Sequence, residues 1–192
     1  MPNYFTKKKS AMKICLPFII AAFLPFVMFS QEKEPMPRLS KTVIGNSGCS
    51  AYLPEGFPEF EVSLSEDSSF VYVSEMEVGS FLFGCITVKL AEPFNETASG
   101  DDYENLLISY MGYLETAFNI TSTAGVGRGH TLESTPGARG VIDYWEDESG
   151  NQFAVKGWAN PNNLAVLYIV GAEEYPYFSL QQMYLDGFRF GG

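Results

Sequence analysis

"FAVKGWANPNNLAVLYIVG", from Phe153 to Gly171, holds two apolar runs separated by Asn160-Pro161-Asn162-Asn163. Asn and Pro clustered between periodic segments favour a tight reversal, so the stretch reads as an antiparallel hairpin turning at Asn160 to Asn163. Its second arm decides the architecture. In a strand, alternate side chains share a face, which puts Leu164, Val166, Tyr168 and Val170 on one side and Ala165, Leu167 and Ile169 on the other. Both sides are apolar. An antiparallel strand wetted on one face alternates with polar residues, so this strand requires cover above and below.

The preceding stretch, "GVIDYWEDESGNQFAVKGWA", reads as a second hairpin turning at Ser149-Gly150. A two-residue loop pairs Tyr144 with Val155, Ile142 with Gly157 and Asp143 with Lys156. A slip of one residue would set Ile142 against Lys156, so the pattern favours the first register. That register carries Trp145 and Trp158 on the side of the Asp143–Lys156 pair, and these four residues form a candidate recognition patch. Large rings are more often buried, so cover of both tryptophans by the C-terminal helix is the alternative.

Toward the N-terminus, "CSAYL", "FEVSL", "SFVYVSEME" and "SFLFGCITVKL" are short alternating runs broken by turn residues, the pattern of an antiparallel meander. In "DDYENLLISYMGYLETAF" the period changes. Leu106, Leu107, Tyr110, Met111, Leu114 and Phe118 recur every three to four residues, the stripe of an amphipathic helix, with Asp101 and Glu104 placed to cap its start. The glycine-rich "STAGVGRGHTLESTPGARG" has no clear period and reads as a flexible loop. "PYFSLQQMYLDGFRF" supplies a closing helix, with Pro176 suited to the first turn and Leu180, Met183, Tyr184 and Phe188 as its stripe.

The front of the chain, "MKICLPFIIAAFLPFVMFSQEKE" from Met12 to Glu34, sets Lys7, Lys8, Lys9 and Lys13 before an apolar run and polar residues after it. The run is shorter than the roughly 20 apolar residues that span a bilayer, and the layout is that of a secretory signal peptide over residues 1–31. Cys15 stands at the start of the run rather than after it, which argues against lipidation. The absence of a small-x-small cleavage pattern leaves an uncleaved anchor as the alternative. Residues 32–44, mixing charge with Pro35 and Pro37, read as a flexible linker, and residues 45–192 as a single domain.

The whole chain has a formal net charge of −11, and loss of the four leader lysines makes it −15. Nucleic-acid binders cluster Lys and Arg to neutralise phosphates, so that partner class is disfavoured, as is docking on anionic lipid once the leader is gone. Cys49 and Cys85 remain after the leader, and an even number in an exported chain makes them a candidate disulfide. Two reduced, buried thiols are the alternative.

The order of meander, helix, long hairpin strands and closing helix, ending in Gly187-Phe188-Arg189, resembles the PsbP-like family over roughly residues 49–190. That resemblance implies an α+β fold, an α/β/α sandwich around an antiparallel sheet, used mainly for binding or assembly. Fold alone does not hand over function, and no site residue is carried across.

Catalytic constellations are sparse. His130 is the chain's one histidine, and a triad or zinc site needs several such groups. "GVGRGH", Gly125 to His130, misses the dinucleotide fingerprint at its last position. The carboxylates of Asp101, Asp102 and Glu104 and of Glu146, Asp147 and Glu148 lack calcium-loop spacing. No cofactor or metal is implied. The expected function is therefore an exported, non-catalytic binding or assembly module, periplasmic or secreted, with a protein or small-molecule partner in the envelope. The alternative is a secreted hydrolase whose carboxylates, such as Asp143 and Glu146, meet beside His130. Intact-mass measurement of the native exported product is expected to show a chain beginning near Gln31; retention of Met1 on a membrane-bound product would mean an anchor instead.

Overall fold

In the computed structural model, which describes residues 34–95 and 97–191, the hairpin at Asn160 forms as expected. The Asn160 Oδ1 accepts from the backbone N–H groups of Asn162 and Asn163 at 2.9 and 2.8 Å, an Asx cap that fixes the reversal. The signal-peptide segment, residues 1–31, lies outside the described residues. No described helix is long and apolar enough to cross a membrane.

The hairpin joins β9 (Gln152–Ala159) to β10 (Asn163–Gly171). Around it stand β3 (Glu61–Leu64), β4 (Phe70–Val78), β5 (Phe81–Lys89), β6 (Ile120–Thr123), β7 (Gly127–Leu132) and β8 (Thr135–Asp147). Their order is β3-β4-β5-β10-β9-β8-β6, with β7 also paired to β8. A smaller sheet is built from β1 (Leu39–Val43), β2 (Ser50–Pro54) and β11 (Phe188–Arg189), in the order β1-β2-β11. All pairings are antiparallel. With the helices α1 (Gly100–Ala117) and α2 (Phe178–Leu185), the described chain is mostly antiparallel sheet with two helices.

The two faces of β10 enter two separate cores, as its pattern requires. Leu164, Val166 and Tyr168 pack with Leu107, Met111 and Leu114 of α1, while Ala165, Leu167 and Ile169 pack with Tyr184 and Leu185 of α2, Phe188 of β11, and Ala51 and Leu53 of β2. Each fully buried large apolar side chain is worth about 1.5–3 kcal/mol, so β10 repays cover on both sides.

Glycines let aromatic rings lie flat across neighbouring strands. Tyr168 of β10 sits opposite Gly84 of β5, which sits opposite Glu75 of β4. The Tyr168 ring crosses the bare Gly84 backbone and its hydroxyl donates to Glu75. On the other face the Tyr184 hydroxyl donates to the Gly84 carbonyl at 2.7 Å. Leu107 of α1 approaches Gly157 so closely that a Cβ there would stand 2.9 Å from its Cδ2.

Several sequence expectations are corrected. The β8–β9 register is the slipped one: Ile142 pairs with Lys156, Asp143 with Val155 and Trp145 with Phe153. The loop has three residues rather than two. Gly150 N donates to Asp147 O at 3.1 Å, Gly150 has φ +82°, and Asp147 N donates to Asn151 O, the form of a type I turn followed by a left-handed residue. This register also sets Gly140 opposite Trp158, where a Cβ would stand 2.5 Å from the indole. The indole takes the space that a side chain would need.

The glycine-rich segment is not a loop but supplies β6, β7 and the start of β8; register shifts between Gly127 and Leu132 and a positive φ at Gly129 hide the period of two. Residues 39–43 of the expected linker form β1, and Glu34 accepts from the Ser80 amide and hydroxyl at 3.1 and 2.8 Å. β2 leaves the meander for the small sheet. The helix cap is Ser99 with Asp102, not Asp101 with Glu104: Ser99 N donates to Asp102 Oδ2 at 2.7 Å. Met183 faces solvent, at 64% exposure.

Cys49 and Cys85 are free, buried thiols rather than a disulfide. One precedes β2 of the small sheet and the other lies in β5 of the large one; each fills the core as a small hydrophobe. Burial pushes the Cys85 thiol up to about 12.

Replacing Gly84 by alanine drives a methyl group into the Tyr168 ring. Urea unfolding of Gly84→Ala is expected to show a loss of about 1–3 kcal/mol, the usual cost of overpacking; a stability equal to that of the parent would show that the ring does not depend on the bare backbone.

Candidate functional site

The predicted patch does not assemble. With the observed register, Asp143 and Trp145 face α1, whereas Lys156 and Trp158 face α2. All four are buried, between 1% and 6% exposed. Trp158 Nε1 donates to Leu185 O at the end of α2 at 2.7 Å. Lys156 Nζ lies 4.8 Å from the centre of the Trp158 ring and pairs with Asp186 at 2.5 Å. The closing helix thus covers Trp158 and Lys156, while Trp145 packs against Phe153.

Asp143 accepts from the Tyr144 amide at 2.7 Å. Across from it on α1, burial and then the Asp143 charge push the Glu115 carboxyl up. Glu104, also on α1, ties the helix to β7: it accepts from Gly129 N at 2.9 Å and pairs with Arg128 at 3.6 Å.

His130 stands half-buried on β7. Burial and then the Lys156 charge pull its pKa down, against Asp186 and Glu104, so the imidazole is neutral at pH 7. Asp143 and Glu146 project from opposite faces of β8 and do not converge. Among the described residues no group of three or more His, Cys, Asp and Glu side chains is arranged to hold a metal ion.

A cleft of about 400 Å³ opens elsewhere, where the chain leaves β10 and turns into α2. Ala154 of β9, Ile169 of β10 and Phe81 at the start of β5 form its apolar floor. Phe81 folds over Gly171, whose missing side chain leaves it room. Tyr175 stands edge-on to Phe81 and Phe83 at 4.9 and 5.4 Å between ring centres. Tyr144, 45% exposed, faces the opening beside Ser122 to Ala124. Gln181 of α2, 4% exposed, contributes an amide. Glu146, Glu173 and Glu174 complete the lining as exposed carboxylates, and among the described residues no Lys or Arg lines the cleft.

Three buried side-chain polar atoms lack a hydrogen-bond partner among the described residues: Trp145 Nε1 on the α1 face of the sheet, Asn163 Oδ1 at the start of β10, and Tyr175 Oη behind the cleft wall. An unpaired buried polar group costs about 1–3 kcal/mol. Burial and the nearby Tyr177 and Glu34 push the Tyr175 phenol up to about 12, so its hydroxyl keeps its proton as a donor. The cleft meets the size and the mixed lining of small-molecule sites.

The linear pattern conceals this site. Its lining comes from β5, β6, β8, β9, β10, the β10–α2 connection and α2, and Glu173-Glu174-Tyr175 read alone as a polar connection. Their one legible signal is an aromatic residue between two elements that bury their neighbours. Against known proteins, the chain matches no family model and no curated protein at a significant level.

The acid pair beneath α1 has a pH signature. A carboxyl raised in the folded state favours folding below its unfolded pKa, about 4.3 for Glu, and weighs against it as pH rises through the folded value. Glu115→Gln is therefore expected to raise the melting temperature at pH 7 and to lose that gain near pH 4. A gain that persists unchanged at pH 4 would place the cause outside this titration.

Proposed function

We propose that the chain is an exported, non-catalytic binding module of PsbP-like fold, acting in a periplasm or outside the cell, and that the cleft between β9, β10 and α2 holds a small-molecule partner. The observation that carries this reading is the cleft of about 400 Å³ itself, with Ala154, Ile169 and Phe81 as an apolar floor and Tyr175 and Tyr144 as aromatic walls. The α/β/α sandwich part of the reading is supported by α1 packing on one face of β10 and α2 on the other, the latter sharing its face with the small sheet. Export is supported by the basic-then-apolar leader in the sequence and by the acidity of the remaining chain. The hydrolase reading loses support at Asp143 and Glu146, which project from opposite faces of β8.

Ligand-observed NMR with a library of soluble aromatic fragments tests this. Tyr144 is exposed, so Tyr144→Ala should keep the parent's melting temperature while weakening fragments bound in the cleft by about tenfold, the loss of one aromatic contact. Fragment binding that maps elsewhere, or that Tyr144→Ala leaves untouched, would overturn the assignment of the cleft.

A further inference from the structure

We propose that the outer edge of β3 is a docking site for an extended, basic segment of a partner protein, which adds to the large sheet as a further strand. The surface is apart from the cleft, whose lining includes no residue of β3. β3 stands at the end of the sheet and pairs with β4. Ser65 N donates to Ser69 O at 3.0 Å, and bonded pairs in an antiparallel ladder recur at every second residue. Ser63, opposite Val71, and Glu61, opposite Val73, therefore bond inward to β4. Val62 and Leu64 turn their N–H and C=O groups outward, with no strand among the described residues to receive them. Such a row is a template for another extended chain.

Two further features say what that chain is. The first is apolar. Val62 and Leu64 stand opposite Tyr72 and Phe70 and share a face with them. Tyr72 is buried, but Val62, Leu64 and Phe70 are between 44% and 63% exposed. Three neighbouring large apolar side chains left wet at an open edge are the surface that alternate side chains of an incoming strand cover. The second is charge. Glu59, Glu61 and Glu66 flank the row, all exposed and none in an ion pair among the described residues. The sequence has no Lys or Arg between Lys41 and Lys89, so neither β3 nor β4 carries a basic side chain. Lys89 of β5 pairs with Phe70, but β4 separates it from the edge. A second copy laid along β3 would set acid beside acid, which cross-strand pairing disfavours. A strand alternating apolar residues with Lys or Arg covers the patch and answers the carboxylates.

A capped heptapeptide alternating lysine and valine tests this on the full chain. Its controls are the same peptide with glutamate for lysine, and the lysine peptide with its backbone N-methylated, which keeps charge and side chains but removes the donors. NMR shift changes are expected to centre on Val62, Leu64 and Phe70. The lysine peptide should bind at least about tenfold more tightly than either control, weakening as salt is raised. Val62→Pro removes an outward N–H and spares the ladder, so it should keep the fold and weaken the lysine peptide by about tenfold; should that variant fail to fold, the N-methylated peptide makes the same test. E59K/E61K, at exposed positions, should reverse the preference between the lysine and glutamate peptides. Equal binding of the lysine and N-methylated peptides would overturn strand addition, and equal binding of the lysine and glutamate peptides would overturn the basic partner. Failure of the lysine peptide to shift the β3 edge would overturn the site. Self-association of the chain through β3 without peptide would give the edge to a second copy and likewise reject the proposal.

Discussion

The fold depends on one strand having no polar side. Between Leu164 and Ile169 every residue of β10 is at most 2% exposed, and water cannot be excluded from both faces by a single layer. One face therefore demands α1 and the other demands α2 with the small sheet. The chain's order reflects this demand: α1 comes before β10 is made, and α2 with β11 comes after, so the last residues close the structure. β11 pairs with β2, which couples the end of the domain to its beginning and makes the small sheet a clasp rather than an extension of the meander.

Packing of aromatics over bare backbone then sets the fine geometry. Tyr168 lies over Gly84, Trp158 over Gly140 and Phe81 over Gly171. A ring laid across a neighbouring strand fills the volume of two side chains and fixes the register between the strands more firmly than a simple apolar pair. The Trp158 indole adds a direction by donating to Leu185 O, so the end of α2 is pinned to β9. With Lys156 held between Trp158 and Asp186, the residues resembling a recognition surface in the sequence turn out to be structural ones.

The candidate site arises where this packing stops. Past Gly171 the chain must leave the sheet and reach α2, and the connection does not fill the space over Ala154 and Ile169. Phe81 and Tyr175 wall that space, and the acidic residues of the connection line it. Acidity that in composition speaks only of solubility has a local expression there, because Glu146, Glu173 and Glu174 line one cavity and among the described residues no basic side chain joins them. The thiols, by contrast, lie in the core and take no part in the surface chemistry.

The residues alone determined what short-range pattern can carry: the reversal at Asn160, the two-faced burial of β10, the stripe of α1, and the need for a closing helix. Each rests on a period of two or of three to four, which a single segment displays by itself. Tertiary structure decided the rest. A loop one residue longer than expected, together with the room that Gly140 leaves for Trp158, slipped the β8–β9 register and sent Trp145 and Trp158 to opposite faces. Glycines and bulges hid β7, because a ladder with irregular pairing has no local period. The expected linker became β1 only because β2 offered it an edge. The cleft could not be read at all, since a cavity is the volume that distant segments fail to fill, and no one of them records that shortfall.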